Sequence, residues 1–152
     1  MTAPPEPLLI TSAANALLVA VRKRSRDGGA YRRGGVLWLE GEHLCAAAAA
    51  RGVAVRHALV AESAWARPDR RALACHAERV ARVPDALFAS LSSLESPSDI
   101  GFVLDSPPVA RPDATLDTVV LDRLQDAGNV GSILRSAAAL GVLQVLALKG
   151  TA

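Results

Sequence analysis

Leu121-Asp122-Arg123-Leu124-Gln125-Asp126-Ala127-Gly128-Asn129-Val130-Gly131-Ser132-Ile133-Leu134-Arg135-Ser136-Ala137-Ala138-Ala139-Leu140-Gly141 passes from an apolar run, through a short polar turn, into an alanine-rich segment closed by glycine. The run belongs to a predicted strand over Asp117 to Leu124. Asp126-Ala127-Gly128 reads as the turn, Val130 to Leu140 as a helix, Gly141 as its cap and Gln144 to Leu148 as a second strand. Strand, helix and strand in so short a span make one β-α-β unit with parallel strands. Asn129 is the candidate N-cap of the helix, where free N–H groups and partial positive charge collect. Gly131 leaves room above the helix for a ligand, and Arg135 lies one turn further along the same face. Asn129 and Arg135 would then flank one small site at a strand's carboxyl end, where open α/β sheets bind ligands. An ordinary capped helix with a surface arginine fits the same spacing.

Outward from this unit, strands and helices continue to alternate. Residues 1 to 9 read as a loose, Pro-rich tail. Ser12 is a candidate cap for a helix from about Ala13 to Arg26, with Ala16, Leu17, Ala20 and Val21 on one face and Asp27-Gly28-Gly29 as its stop. Val36 to Leu39 reads as a buried strand, the run Ala46 to Ala50 as a helix closed near Gly52, and Val53 to Val60 as a strand. Pro68 to Ala77 reads as a helix, Arg79 to Val83 as a strand, Pro84 to about Leu94 as a helix and Ile100 to Leu104 as a strand. This alternation predicts an α/β sandwich with a mostly parallel sheet. Pro107, Pro108 and Pro112 stiffen a linker, so the expected domains are residues 1–106 and 117–152, joined by 107–116. The second, at about 36 residues, falls below the roughly 40 that usually suffice for independent folding.

Composition narrows the partners. Of 152 residues, 51% are hydrophobic and 21% charged, which affords a core and argues against wholesale disorder. The net charge is only +2, yet Arg22, Lys23, Arg24, Arg26, Arg32 and Arg33 crowd into one stretch, opposed there only by Asp27. Arginine's planar fork suits phosphate, so the patch points to nucleic acid; a solvated basic helix end is the plain alternative. Two cysteines without a CxxC pair suggest neither a disulfide framework nor zinc, and no metal is expected. No apolar run reaches the roughly 18 residues of a membrane span, no signal-peptide pattern opens the chain, and the cytoplasm is the expected location. No GxGxxG motif offers a dinucleotide site.

The Leu121–Gly141 stretch resembles the first signature motif of the SpoU (TrmH-like) RNA ribose methyltransferases of the SPOUT superfamily. That motif is a strand ending in Asp, a turn of the type Asp-Pro-x-Asn-x-Gly, then Ile-x-Arg-Thr-Ala and a glycine. Asp126, Asn129, Gly131, Ile133, Arg135, Ala137 and Gly141 match it, while Ala127 replaces the proline and Ser136 the threonine. Ile10 to Asn15 resembles the family's opening Ile-x-Ser-x-x-Asn. Arg33 to Gly41 resembles its Arg-x-x-x-x-Phe-x-x-Glu-Gly strand, and Leu91 to Ile100 the segment that ends its substrate-binding domain.

The resemblance implies a domain similar to RNA-binding ribosomal proteins, then the first β-α-β unit of a trefoil-knot methyltransferase domain. It implies methyl transfer from S-adenosylmethionine to a ribose 2′-hydroxyl of rRNA or tRNA. Arg135 would stand at the hydroxyl and Asn129 would orient it. Gly131 and the basic residues Arg22, Lys23, Arg24, Arg26, Arg32 and Arg33 would contact RNA, and Glu40 would be a structural strand-end residue. The family's two later motifs, which hold the cofactor in the knot, do not occur in residues 1–152. The chain is therefore expected to be an N-terminal fragment, inactive alone, of a protein that forms a homodimer. A non-catalytic RNA-binding module with a vestigial methyltransferase tail is the alternative from another class, and an unrelated nucleotide-binding α/β protein a third.

Overall fold

The structure, a computed structural model, describes residues 6–26, 35–106 and 111–152. Arg32, Arg33, the Asp27-Gly28-Gly29 stop and residues 107–110 of the linker lie outside the described residues. The chain divides into two compact units, Met1–Pro107 and Pro108–Ala152.

The first unit contains β1 (Leu8–Leu9), α1 (Ala16–Arg26), β2 (Val36–Glu40), α2 (Glu42–Ala50), β3 (Val55–Ala61), α3 (Pro68–Ala74), β4 (Ala77–Val83), α4 (Asp85–Ala89) and β5 (Ile100–Asp105). Its sheet has the order β1-β4-β3-β5-β2. β1, β3 and β4 pair in parallel, and β5 runs antiparallel between β3 and β2. The sheet is therefore mixed α/β and mostly parallel, as the alternation predicts. Right-handed crossovers put α1 on one face and α2 with α3 on the other. Side chains agree. The Trp38 ring meets Phe88 of α4, and Arg22 of α1 reaches Ser90 just after α4. On the opposite side Arg70 of α3 meets Glu42 of α2.

The core is one continuous cluster centred on Leu18, Leu59, Phe88, Leu91, Ile100 and Phe102, with the central strand β3 buried from Ala58 to Ala61. Cys45 is buried within it, and burial pushes its thiol up to about 12. Trp38 packs against Gly101, where any Cβ would overlap the indole ring. Arg70 is also buried, and ion pairs to Glu42, Asp69 and Asp99 compensate it.

Several expectations need correction. The chain before Ile10 is not all tail: Leu8 and Leu9 form an edge strand on β4, because their backbone completes the ladder there. Helix α1 begins at Ala16, not Ala13. Asn15 caps it through its side-chain oxygen, which accepts from the Leu17 N–H at 3.0 Å, while Ser12 serves only a turn at Ala14. Its buried face centres on Leu18 and Val21, with Ala16 exposed. Helix α4 ends at Ala89, because Ser90 turns back to accept from Arg22 and donate to the Leu87 carbonyl.

The second unit contains β6 (Thr118–Leu121), α5 (Ala127–Ala139) and β7 (Gln144–Ala147), with β6 and β7 parallel. The Asp126-Ala127-Gly128 turn is in fact the cap and first turn of α5. Gly141 follows the helix at φ 77°, a left-handed conformation that costs glycine nothing, and its N–H and that of Val142 satisfy the last carbonyls.

Candidate functional site

The carboxyl ends of β6 and β7 and the start of α5 gather the polar residues of the second unit. Asp126 is the N-cap of α5: its carboxylate accepts from the Asn129 N–H at 2.6 Å. Asn129 is thus not the cap. It sits in the first helical turn, and its exposed side-chain amide is left for other contacts. A carboxylate at the positive end of the helix is the better cap electrostatically.

Gly131 and Arg135 are brought together, one turn apart. The Arg135 guanidinium folds back over Gly131, with Nη1 3.3 Å from where a Cβ would stand. The space above Gly131 therefore holds the guanidinium of an exposed arginine, at a helix end rich in N–H donors. This arrangement can bind a phosphate or stabilise charge developing on an oxygen.

Sequence reasoning missed what fixes the floor of this region. Arg123 holds a left-handed backbone at φ 52° and pairs with Asp122 at 2.9 Å. Gln125 donates to the carbonyls of both Arg123 and Gly150, at 3.0 and 2.8 Å. The buried Thr151 hydroxyl donates to the Leu121 carbonyl at 3.1 Å, and the Ala152 N–H to the Leu124 carbonyl at 2.7 Å. The segments after β6 and β7 are thus laced together. These contacts lie about 25 to 30 residues apart in sequence, so no local pattern could reveal them.

In the first unit the basic patch separates. Lys23, Arg24 and Arg26 occupy the last turn of α1, where cations suit the helix dipole. Lys23 and Arg26 are exposed. Arg22 is half-buried and tied to the Ser90 hydroxyl at 3.2 Å, and Arg24 lies against Gly35. Glu40 accepts from the Ser98 N–H at 3.1 Å and from the Trp38 indole N–H at 3.4 Å, the contacts of a strand-end brace. A cavity of about 390 Å³ lies beside β1, bordered in part by His57 and Arg79. Among the described residues no group of three or more His, Cys, Asp or Glu could hold a metal ion, and no helix is long and apolar enough to cross a membrane.

No family model matches the chain. It is 36% identical over 143 residues to an uncharacterised tRNA/rRNA methyltransferase of Synechocystis, covering 88% of this chain and 50% of the relative. Among solved structures it resembles the SpoU methyltransferase AviRb of Streptomyces viridochromogenes, with TM-score 0.63 and 26% identity over 91% of this chain and 52% of that one. The same enzyme in complex with AdoMet gives TM-score 0.71 at 23% identity, over 91% of this chain and 54% of that one. A TrmH-family protein from Porphyromonas gingivalis gives TM-score 0.68 at 22% identity, over 91% of this chain and 53% of that one. By sequence kinship and shared fold the chain is similar to RNA methyltransferases of the SpoU/TrmH type, and it spans about half the length of the relatives it matches.

Proposed function

We propose that this chain supplies the RNA-gripping part and the hydroxyl-side half of the active site of an S-adenosylmethionine-dependent RNA 2′-O-ribose methyltransferase acting on rRNA or tRNA in the cytoplasm. The observation that carries the reading is the Arg135 guanidinium folded over Gly131 at the amino end of α5. Methylating a hydroxyl requires it to be aligned and to lose its proton, leaving an alkoxide in the transition state. An arginine stays protonated and cannot serve as the base. Arg135 instead grips the phosphate beside the target ribose and stabilises the developing oxyanion. Asn129, on the same turn, orients the ribose or the guanidinium. Residues 1–106 form the substrate domain, in which Lys23 and Arg26, with Arg22, Arg24, Arg32 and Arg33, meet the phosphate backbone. The working enzyme is a homodimer.

Among the described residues, the polar groups at the carboxyl ends of β6 and β7 do not offer a site for S-adenosylmethionine. At the carboxyl ends of β6 and β7 the Asp126 carboxylate, the Gly150 carbonyl and the Thr151 hydroxyl are engaged with the chain itself. The test uses two proteins: this chain, and a chimaera joining it to the second half of the Synechocystis relative. The chain alone should give no saturable heat with S-adenosylmethionine. The chimaera should leave a nuclease-resistant 2′-O-methylated dinucleotide in its RNA, and Arg135→Ala in it should lower the rate roughly 10²- to 10³-fold. Saturable donor binding by the chain alone, or full activity in Arg135→Ala, overturns the proposal.

A further inference from the structure

The cavity beside β1 takes no part in the chemistry above. β1 pairs with β4 only at Ala81 and Arg82, so Glu78, Arg79 and Val80 lie beyond the reach of the edge strand and border the opening. His57 of β3 and Arg79 of β4 are direct cross-strand partners, so both side chains leave the same face of the sheet. That face is the one α1 crosses, running from β1 toward β2 at the far edge. The helix thereby leaves the amino ends of β4 and β3 uncovered beside its own start. Leu8, Ile10 and Leu17 give the cavity apolar walls. Its volume of about 390 Å³ falls in the usual range of ligand pockets, roughly 300–1,000 Å³.

The polar groups describe the occupant. The His57 ring borders the cavity while its Nδ1 is sealed from solvent with no partner, an uncommon state for a buried polar atom. Burial, reinforced by the Arg56 and Arg79 charges and opposed by Glu78, holds this imidazole below its ordinary value, so a neutral ring faces the ligand. Glu6 offers a carboxylate at the opening, against the single cation Arg79, while Glu78, next to Arg79 in β4, sends its side chain to the other face. Carboxylates accept from amino groups and repel bare phosphate. A flat, neutral heterocycle carrying an amino group meets all of these conditions.

We infer that this cavity holds one unstacked, amino-bearing nucleobase of the RNA, with His57 against the ring, Glu6 accepting from the amino group and Arg79 at the mouth beside the flanking phosphate. The inference rests on the RNA-binding reading of the first unit. Proteins commonly read RNA through bases splayed out of loops into such pockets.

The test follows the His57 imidazole signals by NMR in the 152-residue chain during titration with adenosine, cytidine, uridine and, as a base-free control, ribose 5-phosphate. Affinities for a tRNA transcript and an rRNA stem-loop are measured in parallel. Adenosine and cytidine should shift the signals saturably, uridine more weakly and ribose 5-phosphate not at all. Ala81→Leu, which fills the cavity from its floor, should abolish the nucleoside shifts and weaken RNA binding roughly tenfold. Glu6→Gln, at an exposed position that does not endanger folding, should erase the preference over uridine. Silence with every nucleoside, an equal shift with ribose 5-phosphate, or unchanged RNA affinity in a folded Ala81→Leu chain overturns the inference. Nucleoside binding without binding of either RNA overturns instead the RNA-binding reading, and leaves a site for free nucleosides.

Discussion

The two units of this chain solve the same packing problem to different degrees. The first buries a continuous cluster around a five-stranded sheet covered on both faces. The second has a two-stranded sheet and one helix, and among its described residues the buried apolar ones are Leu121 and Ala137. Leu140 and Leu143 are 82% and 80% exposed, and Val120, Leu134 and Leu148 are exposed as well. A parallel sheet needs cover on both faces, and one helix covers one. The difference teaches that the first unit is a finished structural object in this chain, whereas the second is a surface that still has apolar area to bury.

The sharpest way to break this comparison is to separate the units. Residues 1–106 should melt cooperatively on their own, and residues 108–152 should show no cooperative transition by circular dichroism. A cooperative transition in the second piece would erase the contrast. Single substitutions sharpen it. Phe88→Ala should cost about 3–5 kcal/mol in the denaturant unfolding of the first unit. Leu134→Ala, at an exposed position, should stay within about 0.5 kcal/mol. Arg70→Ala should cost about 2–3 kcal/mol: it leaves Glu42, Asp69 and Asp99 facing one another, but all three are partly solvated. Double-mutant cycles with Asp99→Asn would show whether that cost resides in the ion pair.

The smallest effect is titrational and belongs to the first unit. The folded-state value of His57 is lowered, so its neutral form stabilises the fold fully above the unfolded value near 6.5. That contribution should fade as pH falls below 6.5, as protonation is forced on a ring near Arg56 and Arg79. His57→Gln should flatten the pH dependence of the melting temperature over this window; an unchanged slope would remove His57 as its source.

Much of the architecture was legible because periodicity and turn residues are local signals. The strands ending at Glu40, Val83 and Asp105, and the helix closed by Gly141, follow directly from apolar runs and glycines. What failed was competition between neighbouring candidates for one role. Ser12 and Asn15 can both cap α1, and Asp126 and Asn129 can both cap α5; only the path of the entering chain decides. The length of α4 depended on Ser90 meeting Arg22, 68 residues away. At the candidate site the spacing of Gly131 and Arg135 was readable, being one helical turn. The lacing through Gln125 and Thr151 was not, because it joins the ends of two strands. The pairing of His57 with Arg79 was hidden for the same reason, since sheet register is written nowhere in the local sequence.

The two thiols have a practical consequence. Cys75 is exposed, whereas Cys45 is sealed in the core with its thiol pushed up to about 12. Thiolates, not thiols, react with electrophiles. A maleimide dye therefore tags the native chain once, at Cys75, and a second tag arrives only when the first unit opens. The protein carries its own chemical clock: the rate of the second labelling counts how often the core of the first unit breathes, with no engineered probe.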